Sequence, residues 1–268
     1  MKILEIKNLN YNYQNKKIID NLNLTIEEGS FTTIIGSNKS GKTTLIKLIC
    51  GLLDSKDSVV AGYAYVNNKR IHDNSKFFGV SFSDSNNKFL FTDVYKEMAF
   101  PLENLNIEVE EIEKKIVSLA KDFSNTKILD KKIEDLTNSE KQELLIMISL
   151  LHEPRILLLD NSFSMMNKTT KDKILKVLKK YITEKKLTVI LATTNLEEII
   201  ESDYTYVLNK GSIVMEGVPI SILREETVLN RIGLELPFMI DLFLKLKFYE
   251  LLTEEITDMD RLVDTLWK

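Results

Sequence analysis

The stretch GSNKSGKT, Gly36 to Thr43, carries a chemical meaning before any element is assigned to it. It fits the spacing G-x-x-x-x-G-K-[ST], with an apolar TTII ahead of it and a helical TTLIKLICGLL behind it. In such a loop the backbone N–H groups and the N-terminus of the following helix wrap phosphates, the lysine (Lys42) neutralises the outer ones, and the hydroxyl (Thr43) ligates Mg²⁺. A chain of this length matches the pattern by chance about one time in a hundred at average residue usage, so the residues predict a bound nucleoside triphosphate. A second stretch, RILLLDNSFSMMN from Arg155 to Asn167, ends an apolar run on Asp160, the best candidate to complete a metal site with Thr43. The next residue is the amide Asn161, which has no carboxylate to take a proton from attacking water.

The elements that must hold these residues follow from periodicity. ILEIKNLNYNY, LNLTI, SFTTIIG and VVAGYAYVNNKRI read as strands, with Gly29, Asn67 and Asn68 as turns. Val109, Ile112, Ile116, Leu119 and Phe123 recur at helical spacing and predict an amphipathic helix over 108–123. From about residue 138 the pattern runs helix, ILLLD, helix KTTKDKILKVLKKYITEKK, TVILAT, helix, YTYVLNK. Helices alternating with continuous apolar strands predict a parallel sheet covered on both faces. After Arg224 the rhythm changes to a shorter tail jointed at Gly233 and Pro237.

The bulk numbers exclude several classes. Of 268 residues 44% are hydrophobic and 28% charged, with 9 Gly and 4 Pro, an ordinary folded composition. The net charge of -4 gives no electrostatic reason to expect nucleic acid. The single cysteine, Cys50, can form no internal disulfide, which fits a reducing cytoplasm. The longest apolar window, Leu144 to Leu151, is far short of the roughly 20 residues a spanning helix needs. The N-terminus alternates like a strand and lacks the apolar core of a signal peptide, so a cytoplasmic, unprocessed protein is expected. His72 and His152 are isolated and lack metal-ligand spacing, so both are expected to be surface or capping residues.

Together these pieces resemble an ABC-type ATPase along the whole chain. Tyr13 stands where that family places an aromatic that stacks on adenine. Gly79 to Leu105 looks like the segment that carries the glutamine loop and docks a membrane partner. LTNSEKQ, Leu136 to Gln142, stands where the LSGGQ-type signature belongs, and SMMN, 164 to 167, is similar to the loop that communicates between two ATP sites. VILATTNLEE corresponds to the strand and switch segment. IGLELPF, the helix after it and RLVDTLW resemble the C-terminal extension of energy-coupling factor (ECF) transporter ATPases. The implied fold is an α/β P-loop ABC ATPase domain over 1–225, with a mostly parallel sheet core, an antiparallel β subdomain and a helical subdomain at about 84–152. A short helical dimerisation extension over 226–268 follows it.

The resemblance also locates departures. Asn161 occupies the position of the catalytic glutamate, Thr194 that of the switch histidine and Ser83 that of the glutamine-loop residue. Lys39 replaces a glycine of the phosphate loop. In the signature Thr137 keeps a hydroxyl, Asn138 and Ser139 replace a Gly pair, and Glu140 replaces a glutamine. The groups that hold nucleotide and metal remain: Gly36, Ser37, Asn38, Lys39, Ser40, Gly41, Lys42, Thr43 and Thr44 for the phosphates of ATP, Thr43 and Asp160 for Mg²⁺. Those that manage the reacting water have changed.

The resemblance therefore implies an ATP-binding subunit on the cytoplasmic face of the membrane, peripheral to it, that pairs with a second ABC ATPase as a heterodimer. A transmembrane coupling protein and a substrate-binding membrane protein would complete an importer of a vitamin or metal ion. Its own site would bind ATP and hydrolyse it poorly. The rival expectations are a fully active transport ATPase and, in another class, a soluble ABC protein of DNA repair or translation. The tail and the single short domain disfavour the last.

Overall fold

The computed structural model describes residues 1–14, 16–53, 58–66, 69–70, 77–83 and 89–252, with the side chains of 58–66, 69–70 and 244 outside that description. Two sheets organise them. β1 (Lys2–Tyr13) pairs antiparallel with β2 (Lys16–Glu27) and with β4 (Ser58–Val66), whose other edge carries the short β5 (Lys69–Arg70). The second sheet contains β3 (Phe31–Ile35), β6 (Phe78–Phe82), β7 (Ile156–Asp160), β8 (Thr188–Thr193), β9 (Tyr204–Asn209) and β10 (Ser212–Gly217). Its order is β10-β9-β3-β8-β7-β6, parallel except for β10, which turns back antiparallel on β9.

Side-chain alternation explains why this sheet is covered twice. On β7 and β8, Ile156, Leu158, Ile190 and Ala192 face one apolar cluster, while Leu157, Leu159, Val189 and Leu191 face the other. The first cluster also takes Leu45, Ile46 and Ile49 from α1 (Lys42–Ile49) and the inner residues of β1 and β2. Helix α1 is thus packed between the two sheets. The second cluster holds α2 (Val94–Glu103), α3 (Val109–Asp122), α4 (Asn138–Leu150) and α5 (Lys168–Lys185).

Local sequence sets the ends of these elements. The amphipathic helix expected over 108–123 is α3, flanked by Glu108 and Phe123 as its caps. Helix α1 is shorter than the apolar run suggests: it ends at Ile49, because Gly51 takes a left-handed conformation at φ 73°. Between β8 and β9 the expected helix is a single 3₁₀ segment, Leu196–Glu201, capped by the Asn195 side chain. Only ten residues separate Thr193 from Tyr204, too few for a longer helix with its turns. The tail runs through α6 (Pro219–Leu223), α7 (Glu226–Arg231) and α8 (Phe238–Phe248), and Gly233 (φ 78°) and Pro237 separate α7 from α8, joints that the sequence suggested. Leu229, Leu234 and Ile240 of this tail share a core with Ile35, Val207 and Ile199. RLVDTLW lies outside the described residues. Among the described residues no helix is long and apolar enough to cross a membrane.

Helix α4 is seated on β6 by a close backbone approach at Gly79. A Cβ there would lie 2.1 Å from the Ser149 carbonyl oxygen and 3.0 Å from Pro154. Gly79→Ala should therefore destabilise the chain by about 2 kcal/mol through overpacking. In a thermal melt that is a drop of about 5 °C; an unchanged midpoint would contradict this packing.

Candidate functional site

Parallel register brings the chemistry-bearing residues to one edge of the sheet. Phe82 pairs with Asp160, Asp160 with Ala192, and Ile35 with Thr193. Ser83, Asn161 and Thr194 therefore emerge just past the carboxyl ends of neighbouring strands, the usual place for a ligand in an open α/β sheet. Backbone bonds fix them there: Ser83 N donates to Asp160 O at 2.9 Å and Asn161 N to Ala192 O at 2.7 Å. Asn161 stands at φ 53°, a left-handed conformation that asparagine tolerates better than most residues.

The phosphate loop closes against the same edge. Gly36 N donates to Thr193 O, and a Cβ at Gly36 would lie 2.2 Å from the Leu208 carbonyl, so only glycine fits. The Lys42 side chain turns back into the loop, where Nζ donates to Gly36 O at 2.7 Å, Ser37 O at 3.0 Å and Ser40 Oγ at 3.4 Å. Lys42 is only 8% exposed. Burial pulls its ammonium below the ordinary lysine range, and the neighbouring Asp160 carboxylate works against that pull.

A cavity of about 600 Å³ opens over this edge. It is lined by Asn38 to Thr44, Ser83, Asp160, Asn161 and Thr194, so most of the residues singled out in the sequence converge. Four lining residues had no motif to announce them: Lys16, Lys17, Ile18 and Lys210. They arrive because the β9–β10 turn is locked onto the loop, with Gly211 N donating to Ser40 O at 2.8 Å and Asp20 N to Gly211 O at 3.0 Å. The glycine at this turn was the available signal, since a Cβ there would lie 2.2 Å from the Ile18 carbonyl. Tyr13, at the end of β1 and 54% exposed, is not among the lining residues.

The donor set fits a magnesium-bound polyphosphate. Among the described residues of the lining, five lysines, 16, 17, 39, 42 and 210, accompany a single carboxylate, Asp160. The described residues hold no group of three or more His, Cys, Asp or Glu able to bind a metal alone. A hydroxyl and one carboxylate suit Mg²⁺, which keeps water and takes its remaining ligands from phosphates.

The signature candidates lie elsewhere. None of Thr137, Asn138, Ser139 and Glu140 lines the cavity; they form the start of α4. Thr137 caps that helix, its Oγ1 accepting from Glu140 N at 3.2 Å, while the Glu140 carboxylate accepts from Thr137 N at 2.9 Å. Further along, Gln142 Nε2 donates to Ser81 Oγ and to Phe82 O, both at 3.1 Å, tying the helix to the strand that leads to Ser83. His152, expected as a surface or capping residue, is half-buried with Nε2 3.1 Å from the Phe78 carbonyl and ties the end of α4 to β6. His72 lies outside the described residues.

Two substitutions separate binding from stability. Lys42→Ala should weaken Mg-ATP binding about a hundredfold in calorimetry, because it removes a charge-assisted contact. Lys39 sits at φ 64° on the exposed rim. Lys39→Gly should raise stability by about 1 kcal/mol by relieving the left-handed strain. The same change should weaken Mg-ATP binding by no more than about fivefold, as expected for an exposed charge.

Comparison with known proteins fits this geometry. The ABC transporter family profile matches residues 19–164. The energy-coupling factor transporter ATP-binding protein EcfA of Pediococcus pentosaceus is 34% identical over 245 residues, covering 90% of this chain and 88% of that protein. EcfA1 of Oenococcus oeni is 33% identical over 273 residues, covering 100% and 98%. Among solved structures, cbiO1 of Clostridium perfringens, described as part of the ABC transporter complex cbiONQ, superposes with a TM-score of 0.76 at 26% identity over 90% of this chain and 98% of that one. The chain belongs to the ABC transporter family of ATP-binding proteins, alongside the energy-coupling factor ATP-binding subunits.

Proposed function

We infer that this chain is the ATP-binding subunit of an ECF-type importer and that its own site clamps Mg-ATP without hydrolysing it efficiently. One observation carries the reading: the cavity holds phosphate and metal ligands, and among the described residues its lining contains no acid besides Asp160. Asp160 is assigned to the metal with Thr43, so it cannot also serve as base. Asn161, Thr194 and Ser83 stand where the family's water-managing groups belong, and none of the three accepts a proton near neutral pH. A positioned general base contributes roughly 10²- to 10⁴-fold, so turnover at this site falls by about that factor. Glu198, the buried acid bordering the adjoining cavity, accepts from the Thr193 hydroxyl at 2.6 Å and pairs with Lys171 at 3.3 Å.

Each residue then has a holding role. The loop N–H groups from Asn38 to Thr44 and Lys42 bind and orient the phosphates. Thr43 and Asp160 hold Mg²⁺, which when bound shields the charge between the outer phosphates. Lys39 and Lys210 add positive charge at the rim, and Tyr13 stacks on adenine at the end of β1.

The signature residues of α4 sit apart from the cavity, which supports an arrangement in which they serve the nucleotide of a second ATPase subunit, in a heterodimer. The segment from 226 onward acts as the dimerisation extension of a domain spanning 1–225. Leu90 and Phe91, 71% and 36% exposed ahead of α2, offer an apolar contact for a transmembrane coupling protein. That protein and a substrate-binding membrane protein complete an importer of a vitamin or metal ion, with this chain on the cytoplasmic face of the membrane.

Steady-state phosphate release tests the reading. The chain alone should turn over Mg-ATP at about one hundredth or less of an ordinary ABC rate, and Asn161→Glu should raise the rate at least about tenfold. Ordinary turnover by the unmodified chain, abolished by Lys42→Ala, would show that another group activates the water.

A further inference from the structure

The two flanks of the phosphate loop differ in charge. The loop leaves β3, which stands between β8 and β9 in the sheet. On the β8 side lie Thr194, Asp160, Asn161 and Ser83, at the ends of β8, β7 and β6, and with them the metal carboxylate. On the β9 side lies Lys210, in the turn that follows β9. Lys16 and Lys17 join it there. Ser212 Oγ donates to Asp20 O at 2.9 Å and Asp20 N to Gly211 O at 3.0 Å, which fastens the start of β2 to that turn. One flank of the cavity thus holds the metal carboxylate, and the other holds three exposed lysines.

Strand register indicates which part of a nucleotide meets the lysine flank. Tyr13, the adenine-stacking residue of the proposed function, pairs across the strands with Lys16, and Asn12 pairs with Lys17. The outer phosphates are drawn to Lys42, Thr43 and Asp160. A triphosphate therefore runs from the metal flank toward the lysine flank, and its sugar comes to lie beside Lys16, Lys17 and Lys210.

The charges on that flank exceed what ATP brings. Among the described residues the lining carries five lysines and Asp160, and Asp20 pairs with Lys17. Even when each of these two carboxylates cancels one lysine, three positive charges remain. Mg²⁺ leaves a triphosphate with roughly two negative charges, all on the phosphate chain. The excess is local, since the whole chain has a net charge of -4. Ammonium groups gathered at one cavity mouth repel one another, and a further anion among them removes that cost.

Resting on the proposed ATP site, we propose that Lys16, Lys17 and Lys210 form a second phosphate subsite, so that the cavity prefers nucleoside triphosphates carrying a further phosphate on the ribose. The phosphate loop holds one end of such a ligand and the lysine flank the other. Each exposed lysine adds a modest contribution, and the three together discriminate several-fold. A ribose-phosphorylated nucleotide then competes with ATP, which makes occupancy of this subunit responsive to its concentration.

Titration calorimetry on the full chain with Mg²⁺, at low and at high salt, tests this with ATP, adenosine 3′-phosphate 5′-triphosphate and adenosine 5′-tetraphosphate. The tetraphosphate adds its extra phosphate at the metal end and controls for charge alone. At low salt the 3′-phosphorylated compound should bind at least about fivefold more tightly than ATP, and the tetraphosphate within about twofold of ATP. The preference should shrink as salt rises. Lys16→Gln combined with Lys210→Gln, shown to be folded by a thermal melt, should bring ATP and the 3′-phosphorylated compound within about twofold of each other. Equal affinities in the unmodified chain, an equal gain with the tetraphosphate, or a preference that survives the double substitution would overturn the proposal and leave the ATP site standing. Failure of the unmodified chain to bind any of the three nucleotides would bring down the ATP site and this proposal together.

Discussion

A lysine that is 8% exposed has to have its ammonium surrounded by oxygen atoms, and most of the site follows from meeting that requirement for Lys42. The carbonyls of Gly36 and Ser37 and the hydroxyl of Ser40 provide the inner acceptors, so the loop must curl tightly. The curl brings Gly36 against the Leu208 carbonyl, where no side chain fits. Asp160 offsets the remaining charge from the end of β7, which ties the loop to the parallel sheet. Packing α1 between the two sheets places Lys42 and Thr43 at the mouth of the cavity, and the β9–β10 turn seals the side through Gly211.

Much of this was legible in the sequence. The phosphate loop could be recognised because its chemistry forces residue types at fixed spacing, and the strands ILLLD and TVILAT because a doubly covered strand has to be apolar at every position. Asp160 could be read as the carboxylate that ends an apolar strand, but the placing of Ser83, Asn161 and Thr194 beside it rested on resemblance alone, since register between strands leaves no local trace. The lysines at 16, 17 and 210 were not legible for a related reason. Lys210 reaches the cavity on a turn locked by backbone hydrogen bonds, and Lys16 and Lys17 on the start of β2, which that turn holds to the loop; lysines in such places otherwise read as solvated surface residues. The length of α1 and the 3₁₀ character of Leu196–Glu201 were missed because positive φ at Gly51 and a short connection overrode the apolar pattern.

The site divides its labour unevenly. Groups that attract and orient an anion are plentiful, whereas the described residues of the lining include a single carboxylate, which the metal would occupy. Electrostatics of this kind favour retention of a triphosphate, and under the proposed function the neutral residues at 83, 161 and 194 give little help to the attacking water.

The most direct test of the account is the chemical identity of the bound nucleotide. The chain would be loaded with Mg-ATP, incubated for hours, separated from free nucleotide by rapid desalting and denatured, and the released nucleotide resolved by anion exchange. The account predicts intact ATP, in stoichiometric amount, and none after the Lys42→Ala substitution. Recovery of ADP in its place would mean that the site activates water despite Asn161, and the account of a holding site would be wrong.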